Sequence, residues 1–324
     1  MTDLNTLSRR RLGQTELEVT PIGLGVMQFS GGSGMMGMVF PAIPQEQKNA
    51  IVKAALDGGI NWFDTAEMYG RGNSEQGLAE ALKAAEVKDG EVVIGTKWFP
   101  IFRTASNIPK TIQDRIHYLN GYTIDLYMVH QPWSFSSPEA EMNAMADLVE
   151  AGKIRTIGVS NFSAQQMERA QTALNQRGLS LAVNQVQYSL LHREIESNGV
   201  MEAAKDMGIT IVAWSPLARG ILTGMYRKNP DLINSKRVGW RMMMRRHIER
   251  SGPVIDALQD MAEKYDLTPG QVALNWLVNF NGEIVVAIPG ASKVYQAEQN
   301  AGAMKISLSE EEMARLDELS RDFL

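Results

Sequence analysis

The sequence contains no cysteine and only 4 histidines, and aromatic residues make up 7% of it. Without cysteine the chain forms no disulfide, has no thiolate nucleophile and holds no Cys-ligated zinc or iron–sulfur site. It also lacks an apolar run long enough to cross a bilayer, and its net charge of −5 is not gathered into an acidic or basic tail. We therefore expect neither a membrane nor a nucleic acid as a partner, and we assign no metal ligands.

The N-terminal segment resembles no targeting sequence. Three arginines, Arg9 to Arg11, stand there without an apolar stretch after them, so we expect no signal peptide and a cytoplasmic location. The hydrophobic fraction of 44% and charged fraction of 21% are typical of a globular protein. No linker composition interrupts the chain, which predicts a single domain over residues 1–324. The sequence does not predict the oligomeric state.

Short apolar strands alternate with helical segments along most of the chain. This pattern predicts a parallel sheet covered by helices. Eight strand–helix units follow a short N-terminal hairpin around Gln14 to Glu16, and an extra helix from Glu310 to Ser320 ends the chain. We therefore predict an α/β fold of the (β/α)8 TIM-barrel type rather than an open doubly wound sheet.

Polar residues stand where six of the predicted strands end. In a barrel these ends lie on one face, where barrel enzymes place their active sites. A single polar residue after a strand is ordinarily a solvated loop residue, but six of them together predict a functional site. They are Asp64, Lys97, His130, Ser160 with Asn161, Gln187 and Ser215.

Two of these residues form a predicted ion pair. Lys97 lies between apolar residues, and a buried ammonium needs a partner, for which Asp64 is the candidate. Tyr69 follows Asp64 by five positions, in a loop before the helix that Ser74 and Glu75 open. A carboxylate at a strand end with a phenol on the next loop is a placement that barrel enzymes use for chemistry.

Two long stretches resemble the signatures of the aldo-keto reductase family. Residues 61–75 resemble the first signature and residues 152–162 the second, and shorter matches follow at residues 184–189, 214–217 and 288–292. The resemblance extends from about Arg11 to Asn300. It points to the microbial, plant and channel-subunit branch of the family.

The resemblance implies a barrel that binds NADPH without a Rossmann fold, and no Gly-x-Gly-x-x-Gly motif opens a helix here. It implies a catalytic tetrad of Asp64, Tyr69, Lys97 and His130. Hydride passes from the nicotinamide to a carbonyl carbon, and Tyr69 protonates the oxygen. Because a free phenol is a weak acid at neutral pH, Lys97, held by Asp64, would tune it. His130 would orient the carbonyl.

The resemblance also implies which residues contact the cofactor. NADP(H) is the expected cofactor and NAD(H) the alternative, because many NADP-preferring members have Arg and Glu where this chain has Gln296 and Gln299. Ser292 and Lys293 are the alternative holders of the 2′-phosphate. For the nicotinamide ring the family pattern favours Trp214 over Tyr188, and a core aromatic is the alternative. The other implied contacts are Ser160, Asn161 and Gln187 for the carboxamide, Ser215 and Leu217 for the pyrophosphate, and Gly290, Ser292, Gln296 and Asn300 for the adenosine end.

A basic segment follows the last of these strand ends. Residues 218–252 carry nine lysines and arginines, and guanidinium groups bind phosphate well. Such a run is more often a solvated helix face. We therefore expect one or two of these side chains at most to contact the cofactor.

Apolar residues on the predicted loops indicate a substrate mouth suited to small aromatic or aliphatic aldehydes. The residues are Met27, Trp98, Phe99, Trp133 and Phe135, and each has a core position as its alternative. The sequence does not distinguish among methylglyoxal, pyridoxal, sugar aldehydes and xenobiotic carbonyls.

Two other functions remain open at this point. One is a cofactor-binding partner subunit with little turnover, because the channel-subunit relatives share the barrel and the tetrad. The other is a Schiff-base or phosphate-handling barrel that uses Lys97. The second signature, at residues 158–161, argues against this last function.

Overall fold

The computed structural model describes residues 8–32, 41–234, 245 and 247–324. An antiparallel hairpin of β1 (Arg10–Arg11) and β2 (Glu18–Val19) precedes a parallel sheet in which each strand pairs with the next along the chain. The strands of this sheet are β3 (Leu24–Gly25), β4 (Trp62–Asp64), β5 (Val93–Trp98), β6 (Leu126–Val129), β7 (Thr156–Ser160), β8 (Leu181–Gln187), β9 (Thr210–Trp214) and β10 (Val285–Ala287).

The first and last strands of the sheet also meet. Ile22 pairs with Ala287, and Gly25 pairs with Gly290, as isolated parallel bridges. The backbone amide of Gly23 donates to the Ala287 carbonyl at 2.8 Å. Eight parallel strands therefore curve round to a (β/α)8 barrel, which confirms the predicted fold.

Helices alternate with these strands, and none in the described part of the chain is long and apolar enough to span a membrane. They are α1 (Gln45–Asp57), α2 (Asn73–Ala84), α3 (Ile108–Leu119), α4 (Pro138–Glu150), α5 (Ala164–Asn175), α6 (Val200–Met207), α7 (Met225–Lys228), α8 (Asp231–Asn234), α9 (Gly252–Tyr265), α10 (Pro269–Asn279), α11 (Val294–Gly302) and α12 (Glu310–Ser320).

Local sequence fixes where several helices begin. Ser163 caps α5 and Thr268 caps α10, and in each case the side-chain oxygen of a glutamine three positions later accepts from the backbone amide of the cap residue. Ser309 and Glu312 form the same capping box at the start of α12. These caps satisfy backbone amides that the first helical turn leaves without partners.

The barrel interior is apolar at one end and polar at the other. Leu12, Leu17 and Val19 of the hairpin segment pack with Trp62 in a buried interior cluster, and the Trp62 indole donates to the Thr20 carbonyl at 2.9 Å. The hairpin thus closes the N-terminal end. Inward-facing side chains at the other strand ends are left to form a site.

Candidate active site

Lys97 and Asp64 form a buried ion pair at the carboxyl ends of β5 and β4. The Lys97 Nζ donates to Asp64 Oδ1 at 2.6 Å and to the Thr65 carbonyl at 2.8 Å, and both side chains are almost completely shielded from solvent. Burial lowers the pKa of Lys97, while the Asp64 carboxylate acts in the opposite direction and favours the ammonium. The pairing predicted from the sequence is present.

Tyr69 and His130 lie beside this pair. The Lys97 Nζ is 5.2 Å from the centre of the Tyr69 ring. The rings of Tyr69 and His130 meet edge to face, with centroids 5.6 Å apart at 82°. Burial raises the pKa of the Tyr69 phenol, and the nearby Asp64 raises it further. The structure thus brings the four predicted residues together and keeps the phenol protonated at neutral pH.

His130 is held as a neutral imidazole. Burial lowers its pKa well below the usual range, and the Lys97 cation adds to this shift. Its Nδ1 is buried and has no hydrogen-bond partner among the described residues. The centre of the Phe99 ring lies 6.2 Å from that of His130, also edge to face. A neutral imidazole in this position can offer one N–H group to a ligand oxygen.

The structure adds Gln185, which the sequence analysis did not single out. Its Nε2 donates to Asp64 Oδ2 at 2.9 Å, and its backbone carbonyl accepts from the Ser160 hydroxyl at 2.8 Å and from the Asn161 amide at 2.9 Å. Gln185 and Gln187 are two positions apart on β8 and so share one face of the strand. Because Gln187 was a predicted site residue, this alternation could have indicated Gln185 from the sequence.

Three of the residues assigned to the nicotinamide end are linked. The Trp214 indole donates to Asn161 Oδ1 at 3.1 Å, and Asn161 Nδ2 donates to the Ser160 hydroxyl at 3.0 Å. Asn161 has a left-handed backbone with φ of 61°, a conformation that asparagine tolerates. Gln187 lies opposite Trp214 in the sheet register.

A cavity of about 190 Å³ adjoins the loop after β9. Ser215, just after β9, has a left-handed φ of 53°, which turns the chain toward this loop. Leu217 and Asn300, both predicted cofactor contacts, line the cavity although they are distant in sequence. Its other lining residues are Thr223, Lys228, Thr268, Pro269, Gly270, Gln271 and Gln299.

Gln296 and Ser292 hold each other at the start of α11. Gln296 Oε1 accepts from the Ser292 amide at 2.8 Å, the Ser292 hydroxyl at 3.2 Å and the Lys293 amide at 3.1 Å. A helix N-terminus favours a negatively charged group. Here the Gln296 side-chain oxygen accepts the hydrogen bonds that such a group would otherwise receive from Ser292 and Lys293. Gly290 is packed so closely that an added Cβ would lie 2.2 Å from Gln28 Nε2.

The expectation that Trp98 lines the substrate mouth is wrong. Trp98 is 0% exposed and packs in the outer core between sheet and helices. Its indole donates to Asn107 Oδ1 at 3.0 Å, just before α3. Because side chains alternate along a strand and Lys97 points into the barrel, the next residue must point outward. The sequence predicts a strand that ends at Thr96 and Lys97, whereas β5 continues to Trp98.

The other predicted mouth residues are accessible on loops. Met27 is partly exposed after β3. Trp133 and Phe135 follow β6 and are 57% and 72% exposed. The Phe135 ring lies 6.3 Å from the ring of Phe102, which the sequence analysis did not single out. The Phe135 amide donates to the Arg103 carbonyl at 2.9 Å, so the loops after β5 and β6 are joined.

The described part of the basic segment serves several purposes. Arg227 pairs with Asp256, and Arg250 donates to the Asp322 carbonyl. Lys228 lines the 190 Å³ cavity. The basic residues that lie outside the described residues are Lys236, Arg237, Arg241 and Arg246.

The fold and the site define a (β/α)8 barrel with a buried Asp–Lys pair beside a tyrosine and a neutral histidine. The model of the Aldo/keto reductase family matches residues 21–321. The chain therefore belongs to the aldo-keto reductase family, as the resemblance implied.

Known relatives agree with this assignment. The chain is 35% identical over 308 residues to an uncharacterized oxidoreductase of Mycobacterium tuberculosis, covering 94% of this chain and 91% of the relative. A crystal structure of an aldo/keto reductase from Klebsiella pneumoniae, in complex with NADP and acetate, superposes with a TM-score of 0.70 at 25% identity, over 96% and 94% of the two chains. A glycerol dehydrogenase from Gluconobacter oxydans gives 0.77 at 25% identity, over 97% and 95%.

Proposed function

We propose that this family member reduces a small-molecule aldehyde or ketone to an alcohol with NAD(P)H, and that Tyr69 is the proton donor. One observation carries the proposal. The Lys97 Nζ, paired with Asp64, lies 5.2 Å from the centre of the Tyr69 ring, and the His130 ring meets the Tyr69 ring edge to face. This arrangement stands at the end of the barrel where enzymes of this fold place their chemistry.

The residues present fit a nicotinamide dinucleotide. Asn161 and Trp214 are hydrogen-bonded to each other where β7 and β9 end, and Leu217 and Asn300 line a cavity next to the loop that follows β9. When bound, the cofactor supplies the hydride. The family uses NAD(P)H, and the relative from Klebsiella pneumoniae was solved with NADP. NADP(H) is the proposed cofactor, with NAD(H) as the alternative.

Each side chain of the tetrad has a different role in the protonation of the carbonyl oxygen. Burial keeps the Tyr69 phenol protonated, so it carries the proton that the developing alkoxide needs. The neutral His130 imidazole can donate a hydrogen bond to the same oxygen. As the phenol gives up its proton, the Lys97 ammonium stabilises the negative charge left on Tyr69. Asp64 keeps that ammonium in place.

The surroundings of the tetrad favour a substrate with an apolar part. The exposed rings of Trp133, Phe135 and Phe102 stand on the loops next to His130. Aromatic side chains at the rim of a pocket bind apolar groups and leave orientation to a few polar atoms. Small aromatic or aliphatic aldehydes match this description.

Lys97 is not placed to form a Schiff base. Its side chain is 0% exposed and already donates to Asp64 and Thr65. An amine that attacks a carbonyl must reach it as a free nucleophile. This geometry therefore favours the reductase over an imine-forming barrel enzyme.

The test is cofactor consumption by the purified protein, with NADPH and NADH compared across a panel of small aldehydes and ketones. We expect oxidation of one cofactor, and loss of turnover in Tyr69→Phe while cofactor binding, measured by fluorescence quenching, stays near wild type. Wild-type turnover in Tyr69→Phe would refute the role of Tyr69. If the protein binds the cofactor but no carbonyl of the panel leads to its oxidation, the protein is instead a binding subunit.

A further inference from the structure

Two polar residues in the first turn of α2 are completely buried. Ser74 and Glu75 are each 0% exposed, although they begin a helix that directly follows the loop carrying Tyr69. Buried polar groups are costly unless they are hydrogen-bonded. Their partners therefore indicate what they do.

Ser74 connects the Tyr69 loop to the end of β4. Its hydroxyl accepts from the Thr65 hydroxyl at 2.9 Å and donates to the Val26 carbonyl at 2.7 Å. Its backbone amide donates to the Tyr69 carbonyl at 3.2 Å. Thr65 follows Asp64 in the chain, and its own carbonyl accepts from Lys97 Nζ. Ser74 is thus hydrogen-bonded to the backbone of Tyr69 and to Thr65, which follows Asp64 and binds Lys97.

Glu75 connects the same helical turn to β5. Its Oε1 accepts from the Thr96 hydroxyl at 2.6 Å, and Thr96 immediately precedes Lys97 in the strand. Its Oε2 lies 3.3 Å from the Nε of Arg115, which is 3% exposed on α3. The carboxylate therefore fixes the outer face of the strand whose inner face presents Lys97.

We propose that Ser74 and Glu75 are positioning residues that set the distance between the Tyr69 phenol and the Asp64–Lys97 pair. The proposal rests on the function proposed above. Tyr69, Asp64 and Lys97 come from a loop and two strands, and the Ser74–Glu75 turn is bonded to each of these elements. A displacement of about 1 Å among reacting groups can cost roughly 100-fold in rate.

Glu75 also acts on Lys97 through charge. Burial raises the pKa of Glu75 to about 7, and Arg115 and Thr96 lower it. The Glu75 carboxylate in turn raises the pKa of Lys97. A variant that removes this charge should therefore lower the Lys97 pKa. The charged and titratable groups that face Glu75 are Arg115 from α3, Lys97 from β5, Glu67 from the loop after β4 and Tyr127 from β6.

The chain offers a matched control for a hydroxyl that is structural only. Thr210 is a buried threonine on β9, at the opposite end of the barrel. Its hydroxyl accepts from the Gly13 amide at 2.8 Å and donates to the Arg11 carbonyl at 3.3 Å. Thr210→Val therefore removes two hydrogen bonds without touching the tetrad.

The kinetic experiment compares Ser74→Ala and Thr96→Val with Thr210→Val and the conservative Thr96→Ser. We expect kcat to fall roughly 10- to 100-fold in the first two variants, with KM and cofactor Kd near wild type. Thr96→Ser should restore kcat, and Thr210→Val should lower Tm but not kcat. A kcat for Thr96→Val equal to that of Thr210→Val would overturn the proposal.

A second measurement needs neither cofactor nor turnover. NMR titration of the Lys97 side chain, assigned with Lys97→Met, reports its pKa in the free protein. We expect a lower Lys97 pKa in Glu75→Gln than in wild type, and no change in Thr210→Val. An unchanged pKa in Glu75→Gln would overturn the proposal. If the wild type reduces no carbonyl, the proposed function fails and the titration alone decides the role of Glu75.

Discussion

Lys97 and Arg193 are both buried cations paired with carboxylates, yet their surroundings differ. Arg193 donates to Glu196 and Asp317 at 2.7 Å and to the Ser320 hydroxyl at 2.8 Å. Lys97 has a single carboxylate partner, Asp64, and lies over a titratable ring. The groups that bind Arg193 have no part in the proposed chemistry, whereas Lys97 adjoins Tyr69, the proposed proton donor.

The aromatic neighbours extend this contrast. The Arg193 guanidinium lies 5.1 Å from the centres of both Trp276 and Phe280, and its bonds join the segment after β8 to α12. Tyr69, by contrast, has a hydroxyl and stands at the open end of the barrel. A buried cation with many fixed partners therefore indicates a structural role. A buried cation beside a phenol at the carboxyl ends of the barrel strands indicates chemistry.

Replacing each cation by methionine should separate the two roles most strongly. We expect Lys97→Met to lower kcat by roughly 10²- to 10⁴-fold, because the phenolate loses its stabilising charge. Arg193→Met should cost about 3–5 kcal/mol of unfolding free energy but keep turnover at temperatures where it is folded. Steady-state kinetics and denaturant titration measure both. A larger kcat loss in Arg193→Met than in Lys97→Met would contradict the distinction.

His130 tests whether the site extends beyond the ion pair. His130→Asn should lower kcat by roughly 10²- to 10³-fold, because the carbonyl oxygen loses a preorganised donor, while cofactor Kd stays near wild type. His117→Asn, at an exposed position on α3, is the matched control and should be neutral. Equal kcat values for the two variants would remove His130 from the mechanism.

Glu141 is a buried acid whose partner, the Ser134 hydroxyl, is neutral. Burial raises its pKa from 4.5 to about 7, so the folded protein binds the proton more tightly than the unfolded chain. The stabilisation is complete below about pH 4.5 and is lost as pH rises through about 7. We expect Glu141→Gln to be more stable than wild type by about 1–2 kcal/mol near pH 8, with no gain near pH 5.

Denaturant titration at the two pH values measures this effect. Glu139→Gln is the control, since Glu139 is partly exposed on the same helix and pairs with Arg169. It should change stability by less than about 1 kcal/mol at either pH. A gain in Glu141→Gln that is the same at both pH values would show that Glu141 is not protonated in the folded protein.

Gln296 tests the adenosine end, where the smallest effect is expected. Gln296→Arg removes the amide oxygen that takes the donors of Ser292 and Lys293 and adds a guanidinium. We expect the ratio of kcat/KM for NADPH over NADH to rise about tenfold, because a charge-assisted hydrogen bond to the 2′-phosphate is worth about 1.4 kcal/mol or more. Tyr295→Phe, at an exposed position on the same helix, is the control. An unchanged ratio would separate Gln296 from cofactor choice.

The sequence predicted the architecture because a barrel of this type follows from a local pattern of residues along the chain. Apolar strands alternating with helices indicated the barrel, and Asp64, Lys97 and His130 were conspicuous as polar residues at strand ends. Their roles came from the family resemblance. Their proximity depends on the tertiary structure, because the tilt of the strands and the closure of the barrel are not encoded in any single segment.

The errors arose where a shift of one residue reverses the face of a strand. A predicted strand end at Lys97 places Trp98 in a loop, whereas β5 continues by one residue and the Trp98 side chain points outward. On β8, Gln185 was predicted only as part of a strand, although it lies on the same face as Gln187. The contacts of Ser74 and Glu75 depend on packing between α2 and two strands, which spacing in the sequence does not reveal.

The most direct test of the central claim is isotope transfer. The protein is given NADPH or NADH deuterated at the nicotinamide C4, together with the best aldehyde of the panel, and the alcohol is analysed by mass spectrometry and NMR. We predict one deuterium on the former carbonyl carbon, transferred from one face of the ring, and roughly 10²- to 10⁴-fold less labelled alcohol from Lys97→Met over the same time. Alcohol without deuterium at that carbon, from cofactor labelled on either face, would contradict hydride transfer and the account of the tetrad.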